Sequence, residues 1–157
     1  MEDLAIARAI HVLALVHWIG GVSLVTVVIL PAVARFAEPA RRLALFEEIE
    51  GRFSRQAKVS VTLAGLSGFY MAYRMDAWGR FAEAQFWWMH AMVLIWALFT
   101  FVLFVAEPLF LHAWFRRRAE RDPEGTIALV LGGHRVLLLA SALTIAGAVL
   151  GAHGVLL

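Results

Sequence analysis

Cysteine is absent and charge is scarce: Asp, Glu, Lys and Arg make up 17% of the 157 residues, against about a quarter in soluble domains. Without thiols there are no disulfides, thiolate metal centres, cysteine nucleophiles or covalently attached c-type haem. The chain also lacks Gly-x-Ser-x-Gly, His-Glu-x-x-His and any glycine-rich phosphate loop, which argues against hydrolytic chemistry. A large positive excess is missing too. The net charge is only +2, and its basic residues cluster in two loops beside apolar runs, so they read as membrane topology and not as a nucleic-acid surface.

What is present is apolar. Hydrophobic residues make up 62% of the chain and mean hydropathy is +0.77, values suited to lipid as solvent. Uninterrupted uncharged runs cover 9–34, 59–73, 84–106 and 136–157. A helix needs roughly 20 residues to cross a hydrocarbon core of about 30 Å, so the second run is short unless Arg55 and Lys58 snorkel to the interface. The predicted fold is therefore an all-α integral membrane four-helix up-down bundle forming a single domain. Its spans are expected at about 6–33, 56–74, 86–112 and 128–156. The acidic start, Glu2 and Asp3, is followed by no small-residue cleavage site, so the first span is expected to be retained.

Arg35, Arg41, Arg42, Arg52, Arg55 and Lys58 lie between spans one and two, Arg116, Arg117, Arg118 and Arg121 follow span three, and Arg135 enters span four. Only Arg8, Arg74 and Arg80 lie on the other side, which predicts both termini outside the cytoplasm of a bacterial-type inner membrane. Within about 39–53, Leu43, Phe46, Ile49 and Phe53 recur at three- and four-residue spacing after Pro39. This pattern predicts an amphipathic cytoplasmic segment or an extension of span two. Ala64/Gly68 and Gly147/Gly151 are small-residue pairs suited to close helix packing in lipid. Asp122-Pro123-Glu124-Gly125 breaks the chain before span four.

Six histidines in so apolar a chain call for hydrogen-bond partners, a cavity or a metal. At ~1.5 Å per residue, His11, His90 and His153 all fall within ~5 Å of the outer surface, on three different spans. Their common depth predicts a shared metal or haem site. His17 lies about 240° round the helix from His11 and near mid-membrane, beside Trp18, Gly20 and Gly21; it is a candidate for a second cofactor or for a buried polar partner. Near the inner boundary, Glu107, His112, His134 and Arg135 suggest an ion pair, a proton entry path or a cationic seat for porphyrin carboxylates. Met71, Met75, Met89 and Met92 cluster at the outer ends of spans two and three, where thioethers would suit copper or simply fill gaps. Phe86, Trp87, Trp88 and Trp78 read as an interfacial belt.

The stretch from Ala9 to Gly21, with His11 followed seven residues later by Trp18, resembles the first helix of the copper-resistance protein D type and of the related HemJ-type protoporphyrinogen oxidases. Trp88-Met89-His90-Ala91-Met92 is similar to the oxidase family's Trp-x-His-x-Lys stretch, with Met92 in the lysine position, and His134-Arg135 is similar to the start of its last helix. The resemblance implies haem b, with His11 and His90 as iron ligands; His17 and His153 are additional to the family's pattern and stay candidates by their depth and surroundings, with Arg135 as a seat for porphyrin carboxylates. The expected function is a haem-binding membrane protein with a redox role, either electron transfer or oxidation of a small substrate, with quinone or a periplasmic donor as redox partner. One alternative is copper binding or transport through His11, His90, His153 and the four outer methionines. Another is an accessory subunit of a membrane complex or a homo-oligomer, packed through its glycine seams.

Overall fold

The computed structural model describes residues 2–155. It is helical throughout, with no strand among the described residues. Four long helices follow one another: α1, Glu2–Phe36; α2, Pro39–Arg74; α3, Ala84–Ala119; and α4, Pro123–Ala152. A short 3-10 turn, Trp78–Ala82, bridges α2 and α3. Local chemistry sets the breaks. Pro39 occupies the first turn of α2 after an extended Glu38, where its missing N–H costs nothing. The Asp122 carboxylate accepts from the Gly125 backbone N–H at 2.8 Å and caps α4 just before Pro123.

α1, α3 and α4 are long and apolar enough to cross a membrane, and at most 28% of their most apolar stretches is buried within the chain. Leu13, Leu94 and Leu143 are among many large apolar side chains left on the outside, as expected of a chain solvated by lipid tails. α2 is different. Its 36 residues carry the amphipathic segment as a direct continuation of the apolar one, with Leu43 and Phe46 buried, Phe53 half-buried in the same cluster, and Ile49 half-buried. The hydrophobic stripe of 39–53 thus packs inward and does not lie along a membrane surface. At ~1.5 Å per residue α2 is ~54 Å long, well beyond a hydrocarbon core of about 30 Å.

Contacts fix the register. On α1, Asp3, His11 and His17 meet Tyr70, Ser67 and Ser60 of α2 in turn, so the two helices run antiparallel. On α3, Trp96, Glu107 and Arg116 meet Val61, Ser54 and Glu47, again antiparallel. Glycines seat aromatic rings where the sequence suggested backbone-to-backbone contact. A Cβ at Gly147 would stand 2.6 Å from the Trp87 ring, Gly151 receives Trp88, Gly65 receives Trp96, and Gly21 receives Phe53. The central core joins Trp18, Val22, Ala57, Val61, Phe99 and Leu103. Trp18 and Phe99 meet edge to face with centroids 4.9 Å apart, a favoured aromatic geometry.

Two helices widen locally into π-helical turns, at Val25–Ile29 in α1 and Val102–Leu111 in α3. Each adjoins or contains a proline, Pro31 or Pro108. A proline ring removes one N–H and collides with the carbonyl four residues earlier, and a wider turn relieves both problems. Both π segments border the same interior space.

Candidate functional site: a cavity closed by a polar ladder

That space is a cavity of about 250 Å³ lined by all four helices. Its walls are mostly apolar, from Trp18 and Val22 of α1 through Phe46, Phe53, Phe99 and Leu103 to Leu137 of α4. Glu47, Glu50, Glu107, His112 and His134 also border it. The first four belong to a ladder between α2 and α3.

On α2, Glu47, Glu50, Ser54 and Lys58 follow at steps of three, four and four, which places them on one helix face. On α3, Glu107 and His112 are five apart. In an α-helix that spacing would turn them to different sides, but in the π-helical turns of Val102–Leu111 residues five apart stack. The rungs are then direct. Arg116 Nε donates to Glu47 Oε2 at 2.9 Å, His112 Nε2 lies 3.7 Å from Glu50 Oε2, and Ser54 Oγ lies 2.7 and 2.8 Å from the two Glu107 oxygens. Lys58 Nζ stands 4.0 Å from Glu107 Oε2. The sequence suggested Arg135 as the partner of Glu107; Ser54 and Lys58 fill that role, while Arg135 is exposed on α4 beyond His134. On the α3 side exposure falls from 66% for the Arg116 side chain to 36% for His112 and 11% for Glu107.

Burial first and the neighbouring Glu107 second push the Glu50 carboxyl up to about 7, against the opposing pull of His112 and Lys58. Two carboxylates this close resist ionising together, so Glu50 exchanges its proton near neutral pH. Glu50, Glu107 and His112 are also the one trio of His, Asp and Glu among the described residues whose ligand atoms lie within 4.8 Å of one another. A divalent cation there would compete with the Lys58 ammonium, so the charge balance favours proton binding.

The outer histidines are placed separately. His11 donates from Nδ1 to the Ala64 carbonyl at 2.9 Å, with Ser67 Oγ at 3.1 Å and Gly68 beneath its ring. His17 accepts from the Ser60 hydroxyl at 2.8 Å and donates to Gln56 at 3.3 Å; of its two sequence readings, this is the polar partnership. His90 is exposed, two residues from the buried Trp88, and meets Phe81 edge to face at 5.3 Å. His153 is exposed and donates to its own helix at Val149, 2.7 Å away. Met71, Met89 and Met92 are half-buried and Met75 is exposed. A porphyrin gripped inside the bundle needs both iron ligands turned inward. His11 meets that need and His90 does not. The residues therefore do not fit a haem held between α1 and α3 of one chain.

Sequence reading noticed Glu107 and His112 but not Glu50 or Ser54. Glu47, Glu50, Ser54 and Lys58 recur at helical spacing in the sequence, but the same pattern belongs equally to the solvated face of an amphipathic helix. Pro108 was the other signal, since it marks where α-helical spacing fails. Compared with protein-family models, curated proteins and solved structures, the chain matches none.

Proposed function

We propose that the chain is a four-span membrane protein that takes an apolar small molecule from the bilayer into its inner cavity and exchanges a proton with it through Glu50, Glu107 and His112. The arrangement has both termini on the non-cytoplasmic side, and the polar ladder lies at the cytoplasmic ends of the helices. The observation that carries this reading is the cavity: four helices line a partly open apolar space bordered by a carboxylate–imidazole cluster. An apolar enclosure with a few convergent polar groups, one strongly shifted in pKa, is the usual form of a ligand site. The basic loops support the orientation.

Each residue has a defined task. Ser54 holds both oxygens of Glu107 in place. Glu50 holds a proton beside Glu107 at the cavity end, and His112 links it to the Arg116–Glu47 rung. Apolar walls exclude water, which strengthens every charge interaction inside. A ligand hydroxyl brought against Glu107 would give up or receive its proton there, and the ladder would carry it towards the cytoplasmic side.

Calorimetry tests this with 4-butylphenol and the protein in lipid nanodiscs. Binding heats at pH 7 in two buffers of different ionisation heat should differ, reporting a fraction of a proton exchanged per ligand bound. The difference should vanish in the Glu50→Gln/Glu107→Gln double variant. Binding without buffer dependence, or dependence that survives both substitutions, would reject the proton role.

A further inference from the structure

The last turns of α3 carry arginines on two faces. Arg116 turns to α2 and donates to Glu47. Trp114, Arg117, Arg118 and Arg121 follow one another at steps of three, one and three, which stacks them on the side away from Arg116. Together with Asp122 they line an open groove of about 340 Å³, and all five are exposed.

Charge in this groove is unbalanced. Asp122 is the one acidic residue lining it, and its oxygens are already engaged: Oδ1 accepts from the Gly125 N–H at 2.8 Å and Oδ2 stands 3.7 Å from Arg118. Arg117 and Arg121 have no side-chain partner among the described residues. Like charges four residues apart on a helical surface repel. An anion held between them removes the repulsion, and the planar fork of a guanidinium grips a phosphate through two N–H groups at once.

The setting decides where the phosphate comes from. Along the outside of α3 the surface is apolar up to Leu109 and Phe110, both exposed, and Trp114 follows one turn later, packed on Phe115 with centroids 4.9 Å apart. At ~1.5 Å per residue Trp114 and Arg117 stand ~5 and ~9 Å beyond Leu111. The headgroup layer is about 5–8 Å thick on each side of the hydrocarbon core, and tryptophan is enriched at that level. A lipid satisfies both surfaces with one molecule, its chains on the apolar part and its phosphate on the arginines. A free phosphate would use only the second.

We propose that this groove binds the phosphodiester of an anionic phospholipid between Arg117 and Arg121, with the glycerol backbone against the Trp114 ring and the acyl chains along Leu109 and Phe110. A zwitterionic lipid brings its own cation beside the phosphate and compensates the two arginines less well. The site therefore selects lipids by net charge.

Native mass spectrometry of the full chain in neutral detergent tests this by counting bound dioleoylphosphatidylglycerol and dioleoylphosphatidylcholine, which share their chains and differ in headgroup charge. Wild type should bind the anionic lipid about tenfold or more tighter, the ratio expected of one charge-assisted hydrogen bond. Arg117→Gln/Arg121→Gln should bring the two affinities within about twofold. Arg35→Gln/Arg41→Gln, which removes the same charge from the other basic loop, should keep the preference. As a check that needs no variant, the indole ¹H–¹⁵N resonance of Trp114 in wild type should move with the anionic lipid and stay in place with the zwitterionic one. Equal binding of the two lipids by wild type, a preference that survives Arg117→Gln/Arg121→Gln, an equal loss in Arg35→Gln/Arg41→Gln, or an unmoved Trp114 resonance would overturn the proposal. Displacement of the anionic lipid by millimolar inorganic phosphate would overturn it as well, by making the groove a site for free anions.

Discussion

Glu50 illustrates how one side chain makes the inner end responsive to pH. Its folded pKa is raised, so the folded state holds a proton that the unfolded chain releases between the ordinary carboxylate range and about 7. Stability is thus fullest below the unfolded pKa and falls as pH rises through about 7. Groups facing Glu50 are Glu107 and His112 of α3 and Lys58 of its own helix, with Glu47 one turn away and His134 of α4 across the cavity. Glu50→Gln should flatten the dependence of the thermal midpoint on pH between 5 and 8, raising it at pH 8 relative to wild type; differential scanning calorimetry in detergent checks this. His112→Leu removes a group that draws Glu50 down, so the decline should shift to higher pH. Unchanged profiles in both variants would show that Glu50 is not the group responsible. Gly65 makes a different point at the same scale. A side chain there would enter the Trp96 ring, whose N–H donates to the Val61 carbonyl at 2.9 Å. Gly65→Leu should destabilise the fold by about 2–3 kcal/mol through overpacking and the lost bond, read as a lower midpoint in the same calorimeter.

At the scale of the helices, the sequence displayed what depends on long-range averages. Uncharged runs give α1, α3 and α4, and Leu43, Phe46, Ile49 and Phe53 give the buried stripe on α2. Hidden from it were features set by a few atoms. The π-helical turns around Pro108 bring Glu107 and His112 onto one face, and no spacing rule for ordinary helices would join residues five apart. Counting along the uncharged runs gives His11, His90 and His153 one expected depth, but depth says nothing about the direction each ring takes round its helix, and His90 lies on the outside. Asp3 ties the start of α1 to the end of α2 through Tyr70 and Arg74, at 2.7 and 2.8 Å. Those bonds hold its carboxyl well below the usual range, so the tie is present above the unfolded pKa and lost as pH falls through the folded one. Asp3→Asn should speed amide hydrogen exchange in the first turns of α1 at pH 7 and leave exchange in the Trp18 region unchanged.

For the whole molecule, the four-span arrangement proposed above predicts the basic loops and the polar ladder on one side and both termini on the other. Because the chain has no cysteine, single introduced thiols report sidedness without background. In intact cells an impermeant maleimide should label Gly79→Cys, in the turn between α2 and α3, and spare Arg121→Cys until the membrane is opened. The reverse pattern would invert the molecule, and labelling of both sites in intact cells would place them on the same side, against a crossing by α3. The most direct measurement concerns the proton held between α2 and α3. Infrared difference spectra of the protein in nanodiscs, recorded from pH 5 to 9, should contain a protonated-carboxyl stretch that disappears with a midpoint near 7 and is absent from Glu50→Gln. A Glu50 carboxyl already ionised at pH 5.5, as in water, would contradict the proton held on Glu50 and with it the role assigned to the cavity.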